Sequence, residues 1–412
     1  MAALGPVAMP PHLGVAVSGG ADSTALALLA RDWVRVRGGR LRAFVVDHGL
    51  RPESAAEAET VRRRLGALGI PVEVLRWTGP KPASRIQERA REARYVLLFA
   101  ACRRHGIREL LLGHRLEEQA ETVAMRLARG SGPLGLAGMP AVAVRAGVRL
   151  LRPLLGFPRA RLEALLRAHG VPWVEDPANT DPRFARARLR RQGIDVAGLM
   201  ALSEEARRAR AEVEAALAEL AARAVRLDAR FGFARVDGTV LAEAPPALRT
   251  LLWGRLLAVV GGGRRPPRAR VVAGLLARIG AGALPATAGR CLVTADGHLL
   301  TVVRETRALP PPVTLVPGVP VLWDGRFLLD HPGPGPRTVA PLALHAEALR
   351  REAARHPHVP RAALAALPAG MPTGTPVWPG ATGAPAAVFA PAVRLACPGF
   401  HRYIVSAPAA PK

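Results

Sequence analysis

Cysteine is scarce in this sequence. The 412 residues include only Cys102, Cys291 and Cys397, which lie far apart and form no CxxC motif. This excludes a disulfide-stapled secreted module and a cysteine-based zinc ribbon. Each cysteine is predicted to pack as a small apolar side chain, as expected in a reducing cytoplasm.

Long hydrophobic runs are also missing. No apolar stretch approaches the roughly 20 residues of a membrane span. The first twelve residues, MAALGPVAMPPH, have neither a basic region nor a long apolar run, so we expect no secretory signal and a cytoplasmic protein. Half of all residues are apolar, which is enough to give each of two or three domains its own core.

Lysine and acidic residues are few. Lys81 and Lys412 are the only lysines, yet 58 basic residues face 32 acidic ones, a net charge of +26. The positive electrostatic field of such a charge favours a polyanionic partner, above all a nucleic acid, whose phosphates would be bound in a salt-sensitive way. A GC-rich genome would enrich Arg, Ala, Gly and Pro without selection for binding, so charge alone leaves the partner open.

Residues 13–155 alternate short apolar runs with helical patterns. This order predicts an α/β fold with a doubly wound parallel sheet. Ligands of such sheets bind beyond the carboxyl ends of the strands. The informative residues fall there, at Ser18–Ser23, Asp47–Gly49 and His114–Glu118.

The rest of the chain predicts a mostly helical middle domain and a small C-terminal domain containing β-structure. A helix is predicted from Ser203 to about Leu227, and Asp-Gly pairs predict hairpins at 235–241, 292–303 and 321–329. Prolines at 309–313 indicate a linker. The predicted domains are 1–200, which holds the alternating pattern, 203–308 (middle) and 314–412 (C-terminal, with a tail rich in Ala, Pro and Gly).

The stretch VAVSGGADST at 15–24 joins a strand to a helix through two glycines. Backbone amides and the helix dipole converge there, and glycine lets a phosphate approach closely. Ser18, Ser23 and Thr24 add hydroxyl donors. Asp22, an acid beside phosphates, is predicted to bind Mg²⁺.

The chemistry of this turn follows from what surrounds it. The absence of a nearby lysine excludes a Walker loop, and the glycine spacing does not match a dinucleotide fingerprint. The pattern S-G-G-x-D-S is that of ATP pyrophosphatases, which cleave between the α- and β-phosphates; the alternative is a plain Gly-Gly turn. The predicted ATP-binding residues are Ser18, Gly19, Gly20, Ala21, Asp22, Ser23, Asp47 and His48.

Four further stretches narrow the substrate: VVDHGLR at 45–51, AREARY at 90–95, the segment 113–139 and VEDPANTDPRFARARLR at 174–190. Alone, each has an ordinary reading, as a strand-closing turn, a core histidine or a solvated arginine face. Along the sequence, His114 is followed within eight residues by four polar side chains, Glu117, Glu118, Gln119 and Glu121. That group suggests a metal and substrate site.

The order of these motifs resembles that of tRNA(Ile)-lysidine synthetases. The resemblance covers residues 13–190 and extends more loosely to GRCLV and VVRE in the middle domain. It implies that ATP adenylates the C2 oxygen of the wobble cytidine in a CAU-anticodon tRNA(Ile), and that the amine of free lysine then displaces AMP.

The resemblance also implies a catalytic first domain (1–200), a tRNA-binding middle domain (203–308) and roles for individual residues. The protein is expected to be a monomer or homodimer. The implied catalytic residues are Asp22, Asp47, Glu117 and Glu118, with Asp22 and Glu118 on Mg²⁺. The implied tRNA contacts are Arg91, Arg94, Arg126, Arg129, Arg183, Arg188 and Arg190.

The sequence departs from the family pattern at three places. Glu117-Glu118 stand where Asp-Asp is usual, Arg115 replaces the second residue of a His-His pair, and Ala187 replaces an Asn. The first change moves the carboxylates by about one methylene, which matters for Mg²⁺ at ~2.1 Å. None removes a nucleophile, since the attacking amine belongs to the substrate.

Two other functions remain open at this point. A tRNA thiolase of the same superfamily usually needs reactive cysteines, and only Cys102 lies in the first domain. An RNA-binding protein with a degenerate ATP site would explain Glu117, Glu118 and Ala187.

Overall fold

The computed structural model describes residues 1, 4–79, 81, 84, 86–174, 188, 189, 191, 193–317, 319–331, 333–372, 374–377 and 386–389. The chain divides into two compact units, Met1–Glu212 and Val213–Lys412. No helix in these ranges is long and apolar enough to cross a membrane. The predicted domain borders near residues 200 and 310 stay predictions.

The first unit contains a six-stranded sheet in the order β3-β2-β1-β4-β6-β5. All neighbours are parallel except the β5–β6 pair. The predicted doubly wound α/β class is confirmed. The strands are β1 (His12–Val17), β2 (Arg40–Asp47), β3 (Val72–Arg76), β4 (Glu109–Leu112), β5 (Val142–Arg145) and β6 (Val148–Leu151).

Helices connect these strands and cover the sheet. The central strands β1 and β4 are almost completely buried, which explains why they read as continuous apolar runs rather than alternating ones. Buried leucines, valines and alanines of α1, α2 and α6 pack with strand residues in one cluster. The helices are α1 (Ala21–Arg35), α2 (Ser54–Ala67), α3 (Ile86–Arg104), α4 (Leu116–Leu127), α5 (Pro133–Leu136), α6 (Arg159–Ala168) and the start of α7 (Val196–Ala224).

The second unit combines helices with three antiparallel sheets. Its helices are α8 (Gly238–Glu243), α9 (Pro246–Gly261), α10 (Ala269–Gly280), α11 (Ala346–Arg355) and α12 (Arg361–Ala365). Its strands are β7 (Val225–Asp228), β8 (Phe233–Asp237), β9 (Ala286–Ala288), β10 (Cys291–Asp296), β11 (Leu299–Arg304), β12 (Val313–Leu315), β13 (Val321–Trp323), β14 (Phe327–Asp330), β15 (Arg337–Pro341), β16 (Pro368–Gly370), β17 (Thr375–Pro376) and β18 (Ala386–Phe389).

Two of the three predicted Asp-Gly hairpins form, at β10–β11 and β13–β14. The hairpin predicted at 235–241 is wrong. There the Asp237 carboxylate accepts hydrogen bonds from the amides of Thr239 and Val240, at 2.9 and 3.1 Å. It therefore caps α8, because aspartate is as good a helix N-cap as it is a turn residue.

The helix predicted from Ser203 to about Leu227 is wrong at both ends. It begins at Val196 and ends at Ala224, where β7 follows directly. Ser203 is completely buried within this helix rather than capping it. The acids at 204 and 205 suit a first turn, but apolar residues upstream continue the helical pattern.

Candidate active site

The loop after β1 turns sharply at Gly19. Its φ is +89°, in the left-handed region, and a Cβ there would lie 2.6 Å from Val61 Cγ2. The loop is held internally, because the Ser23 hydroxyl accepts from the Ser18 amide at 3.2 Å and donates to the Gly20 carbonyl at 3.0 Å. The Val174 amide donates to the Gly19 carbonyl at 2.8 Å. Ser23 is therefore a residue that shapes the loop.

Helix α1 begins without a side-chain cap at Gly20. Its first-turn amides have no intrahelical acceptors and carry the positive end of the dipole. They lie at a cleft of about 410 Å³, large enough for a nucleotide-sized ligand. The cleft is lined by residues that include Ser18, Gly20, Ala21, Asp22, Ser23, Arg51, Glu57, Arg91, Arg94, Tyr95, His114, Arg115, Glu118, Arg159, Trp173 and Val174.

Asp22 forms a partly buried ion pair with Arg115. Arg115 Nη1 contacts Asp22 Oδ2, while Arg115 Nε donates to Glu117 Oε2 at 2.9 Å. Asp22 Oδ1 is buried and receives no hydrogen bond from the residues that the structure describes. Burial raises the pKa of the Asp22 carboxyl above its ordinary value, and the Arg115 guanidinium offsets this only in part.

The two glutamates of α4 differ in position. Glu118 lines the cleft, and its Oε2 accepts from the Arg115 amide at 3.4 Å as part of a capping box. Glu117 is outside the lining residues; its two oxygens accept from Arg115 Nε and from the Arg159 amide, the latter at 3.0 Å. Its carboxylate is thus already engaged within the protein.

Asp47 and His48 follow β2 but are not among the lining residues of the cleft. Asp47 Oδ1 accepts from the Gly49 amide at 2.9 Å, which closes the turn. His48 packs edge-on against Trp77. Burial, with Arg94 nearby, lowers the pKa of His48 to about 4, so the imidazole is neutral at physiological pH.

Tyr95 on α3 organises the arginines at the other side of the cleft. Its ring is buried, with the Arg91 and Arg145 guanidinium carbons 5.3 and 5.1 Å from the ring centroid. Burial alone would raise the pKa of the tyrosine hydroxyl. Arg91, Arg152, Arg94 and Arg145 outweigh burial, so the pKa lies below its ordinary value. The cleft wall is therefore strongly positive.

His114 and the segment after α4 are positioned by polar contacts. Arg152 Nε donates to His114 Nδ1 at 3.2 Å. The completely buried Gln119 exchanges two hydrogen bonds with the Met139 backbone, at 3.0 and 2.8 Å. Arg126 donates to the carbonyls of Gly135 and Gly138, at 2.6 and 2.9 Å, so it holds this segment in place.

Two of the remaining predicted tRNA-binding arginines lie among the described residues, and two do not. Arg129 is exposed at the end of α4, and Arg188 is exposed. Arg183, Arg190 and the departure at Ala187 lie outside the described residues, as does EDPANTDPRF.

Sequence reasoning missed the central role of Arg115 and the ring of Tyr95. In the sequence Arg115 stands out only as a departure from a histidine, and its partner Asp22 lies 93 positions away. Tyr95 belongs to the AREARY motif, in which the sequence pattern points to phosphate contacts only for the arginines. Trp173 and Val174 also line the cleft, and their one signal in the sequence is that they come directly before EDPANTDPRF.

The donor set fits a cation shared with phosphates rather than a metal cage. Among the described residues no group of three His, Cys, Asp or Glu side chains is arranged to hold a metal. The orphaned Asp22 Oδ1 and the nearby Glu118 offer one or two carboxylates. Mg²⁺ is commonly bound in this way, with substrate phosphates and water completing its shell.

This loop, uncapped helix and parallel sheet define an ATP-using enzyme of the PP-loop class. Residues 4–197 match the PP-loop domain family. A tRNA(Ile)-lysidine synthase of Methylobacterium nodulans is 44% identical over 72% of this chain and 89% of the relative. A Ruegeria pomeroyi protein of that name is 40% identical over 79% of this chain and 78% of the relative. One of Mesorhizobium japonicum is 38% identical over 88% of this chain and 85% of the relative.

The chain belongs to the tRNA(Ile)-lysidine synthase family. The family and the enzyme class predicted from the motif order are thereby confirmed.

Proposed function

We propose that the enzyme joins lysine to C2 of the wobble cytidine in tRNA(Ile) with a CAU anticodon. The C2 oxygen attacks the α-phosphorus of ATP and pyrophosphate leaves. The lysine ε-amine then attacks C2, and AMP leaves with the former C2 oxygen. The observation that carries this proposal is the cleft that begins at the uncapped α1 amides and is walled by Asp22, Glu118 and arginines, in a chain whose relatives bear this name.

The residues of the loop suit ATP binding. The backbone amides from Gly20 onward would hold the β- and γ-phosphates, because uncapped helix amides bind anions. Gly19 lets the chain approach the phosphates without a Cβ in the way. Arg91 and Arg94 line the same cleft and would stabilise negative charge developing on the departing pyrophosphate.

Asp22, with Glu118, would hold Mg²⁺. The ion supplies charge neutralisation at the phosphates when it is bound. Glu117 has a different proposed role, because both of its oxygens already accept hydrogen bonds: it holds Arg115 beside the loop. The predicted roles of Asp47 and His48 in ATP binding stay predictions.

A tRNA substrate suits the charge of the protein. The net charge of +26 and the arginines at the cleft would attract the phosphate backbone. A wobble base must leave its stack to reach a cleft, so single-strand contacts would dominate recognition.

The two described cysteines argue against a thiolase. Cys102 and Cys291 are completely buried, and burial raises the pKa of each thiol to about 12. A thiolase needs a reactive thiolate.

The test is mass analysis of nucleosides after incubating tRNA(Ile) with ATP and isotopically labelled lysine. We expect one labelled lysine residue per converted cytidine, with AMP and pyrophosphate in equal amounts. Pyrophosphate release that requires a sulfur donor would favour a thiolase. Binding of tRNA with no pyrophosphate release would favour a degenerate ATP site.

A further inference from the structure

Arg115 lies at the boundary between the loop and α4, and it is buried. Its guanidinium connects two acids at once: Nη1 contacts Asp22 Oδ2, and Nε donates to Glu117 Oε2 at 2.9 Å. Glu117 is itself fixed by the Arg159 amide at 3.0 Å. Arg115 is thus anchored to Glu117 of α4 while it holds the Asp22 side chain of α1.

The two oxygens of Asp22 are therefore not equivalent. Oδ2 is occupied by Arg115, whereas Oδ1 is buried and accepts no hydrogen bond from the described residues. A buried acceptor without a partner is destabilising and commonly marks the place of an ion or water. The carboxylate is held by one oxygen with the other left for a ligand.

We propose that Arg115 is a positioning residue that orients the Asp22 carboxylate for a divalent cation. This inference rests on the proposed function, in which Asp22 is a ligand of Mg²⁺ shared with the ATP phosphates. Groups that orient metal ligands in this way typically change metal affinity 10- to 100-fold when they are removed.

An arginine is suited to this position because its planar fork presents separate donors to two carboxylates. A lysine has a single charged centre and cannot reproduce both contacts in one geometry. The alternative role for Arg115 is a resident cation that competes with the metal for Asp22. The two roles predict opposite signs when Arg115 is replaced, since losing a competitor tightens metal binding and losing an orienting group weakens it.

The experiment measures Mn²⁺ affinity by electron paramagnetic resonance in the presence of saturating α,β-methylene-ATP, which resists cleavage. We expect Arg115→Gln to weaken Mn²⁺ binding by about 10- to 100-fold. The matched control is Arg51→Gln, which removes the same charge from a residue of the same cleft that pairs with Glu57 at 3.0 Å. We expect the control to bind Mn²⁺ as tightly as the unaltered protein or more tightly.

A second pair of variants keeps the charge. Arg115→Lys should weaken Mn²⁺ binding, while Arg51→Lys should not, because only the first loses the fork that holds Asp22. This pair carries the test if Arg115→Gln does not fold, which circular dichroism reports.

Equal or tighter Mn²⁺ binding in both Arg115 variants would overturn the inference and leave the proposed function standing. If the unaltered protein binds the analogue without any Mn²⁺ requirement, the metal part of the proposed function fails, and the inference fails with it.

Discussion

Gly19 and Val61 approach so closely that a Cβ on the glycine would lie 2.6 Å from Val61 Cγ2. The glycine also has a φ of +89°. Position 19 therefore excludes side chains for two independent reasons, a left-handed backbone and a steric clash with α2. The loop that begins the cleft depends on both.

The first prediction follows from this crowding. Gly19→Ala should destabilise the protein by more than the left-handed conformation alone, which costs about 1–2 kcal/mol, and should abolish ATP binding. Gly38→Ala is the control, because its φ is +61° but nothing lies within 4 Å of its Cβ position. Urea unfolding and ATP titration compare the two. Equal destabilisation would show that the contact with Val61 has no energetic effect.

The second prediction concerns the charge of Asp22. Asp22→Asn keeps the shape of the side chain but removes its charge, so pyrophosphate release should fall by about 100-fold or more. Affinity for tRNA should change little. Asp32→Asn, on the same helix and paired with Arg31 at 2.8 Å, should retain normal turnover. Normal turnover in the Asp22 variant would refute its role at the phosphates.

The third prediction concerns Tyr95. Tyr403 is the only other tyrosine, so the Tyr403→Phe variant reports Tyr95 alone. Because surrounding arginines lower the pKa of Tyr95, its tyrosinate absorbance at 295 nm should titrate below pH 10, the ordinary value. A midpoint at or above 10 would mean that the arginines do not outweigh the effect of burial on the pKa of Tyr95.

The ring of Tyr95 should matter more than its hydroxyl for stability. Tyr95→Phe keeps the ring on which Arg91 and Arg145 lie and removes only the hydroxyl that is hydrogen-bonded to Arg152, so the loss should be about 1.5–3 kcal/mol. Tyr95→Ala removes a buried ring and should cost about 3–5 kcal/mol. Urea unfolding measures both, and equal losses would show that the hydroxyl, rather than the ring, dominates.

The fourth prediction tests whether Cys102 or Cys291 could be the reactive cysteine of a thiolase. Because Cys102 and Cys291 are buried and the pKa of each is about 12, the Cys397→Ser variant should not react with iodoacetamide while folded. It should incorporate two carbamidomethyl groups after unfolding in guanidinium. Rapid labelling of the folded variant with retained activity would reopen the thiolase reading.

The sequence predicts the sheet well because β1 and β4 are buried on both faces and therefore form uninterrupted apolar runs. The S-G-G-x-D-S pattern likewise locates the loop, because position 19 has a left-handed backbone that glycine adopts far more readily than other residues. Local patterns fail where two structures suit the same residues. Asp237 followed by glycine fits both a hairpin and a helix cap, and contacts with the rest of the unit decide between them.

In the site, too, local patterns predict some features and contacts between distant residues decide others. The loop residues and Glu118 are brought together at the cleft, because they follow the carboxyl ends of adjacent parallel strands. Asp47 also follows such an end, yet its carboxylate turns back to the Gly49 amide. The Arg115–Asp22 pair joins positions 93 residues apart, and no local pattern encodes such a contact.

The most direct test of the central claim follows the oxygen at C2. A tRNA(Ile) carrying ¹⁸O at C2 of the wobble cytidine is incubated with ATP, lysine and the enzyme, and the released AMP is analysed by mass spectrometry. If that oxygen attacks the α-phosphorus of ATP held at the loop, each AMP carries one ¹⁸O atom. Unlabelled AMP, or ADP with phosphate as the products, would contradict the account.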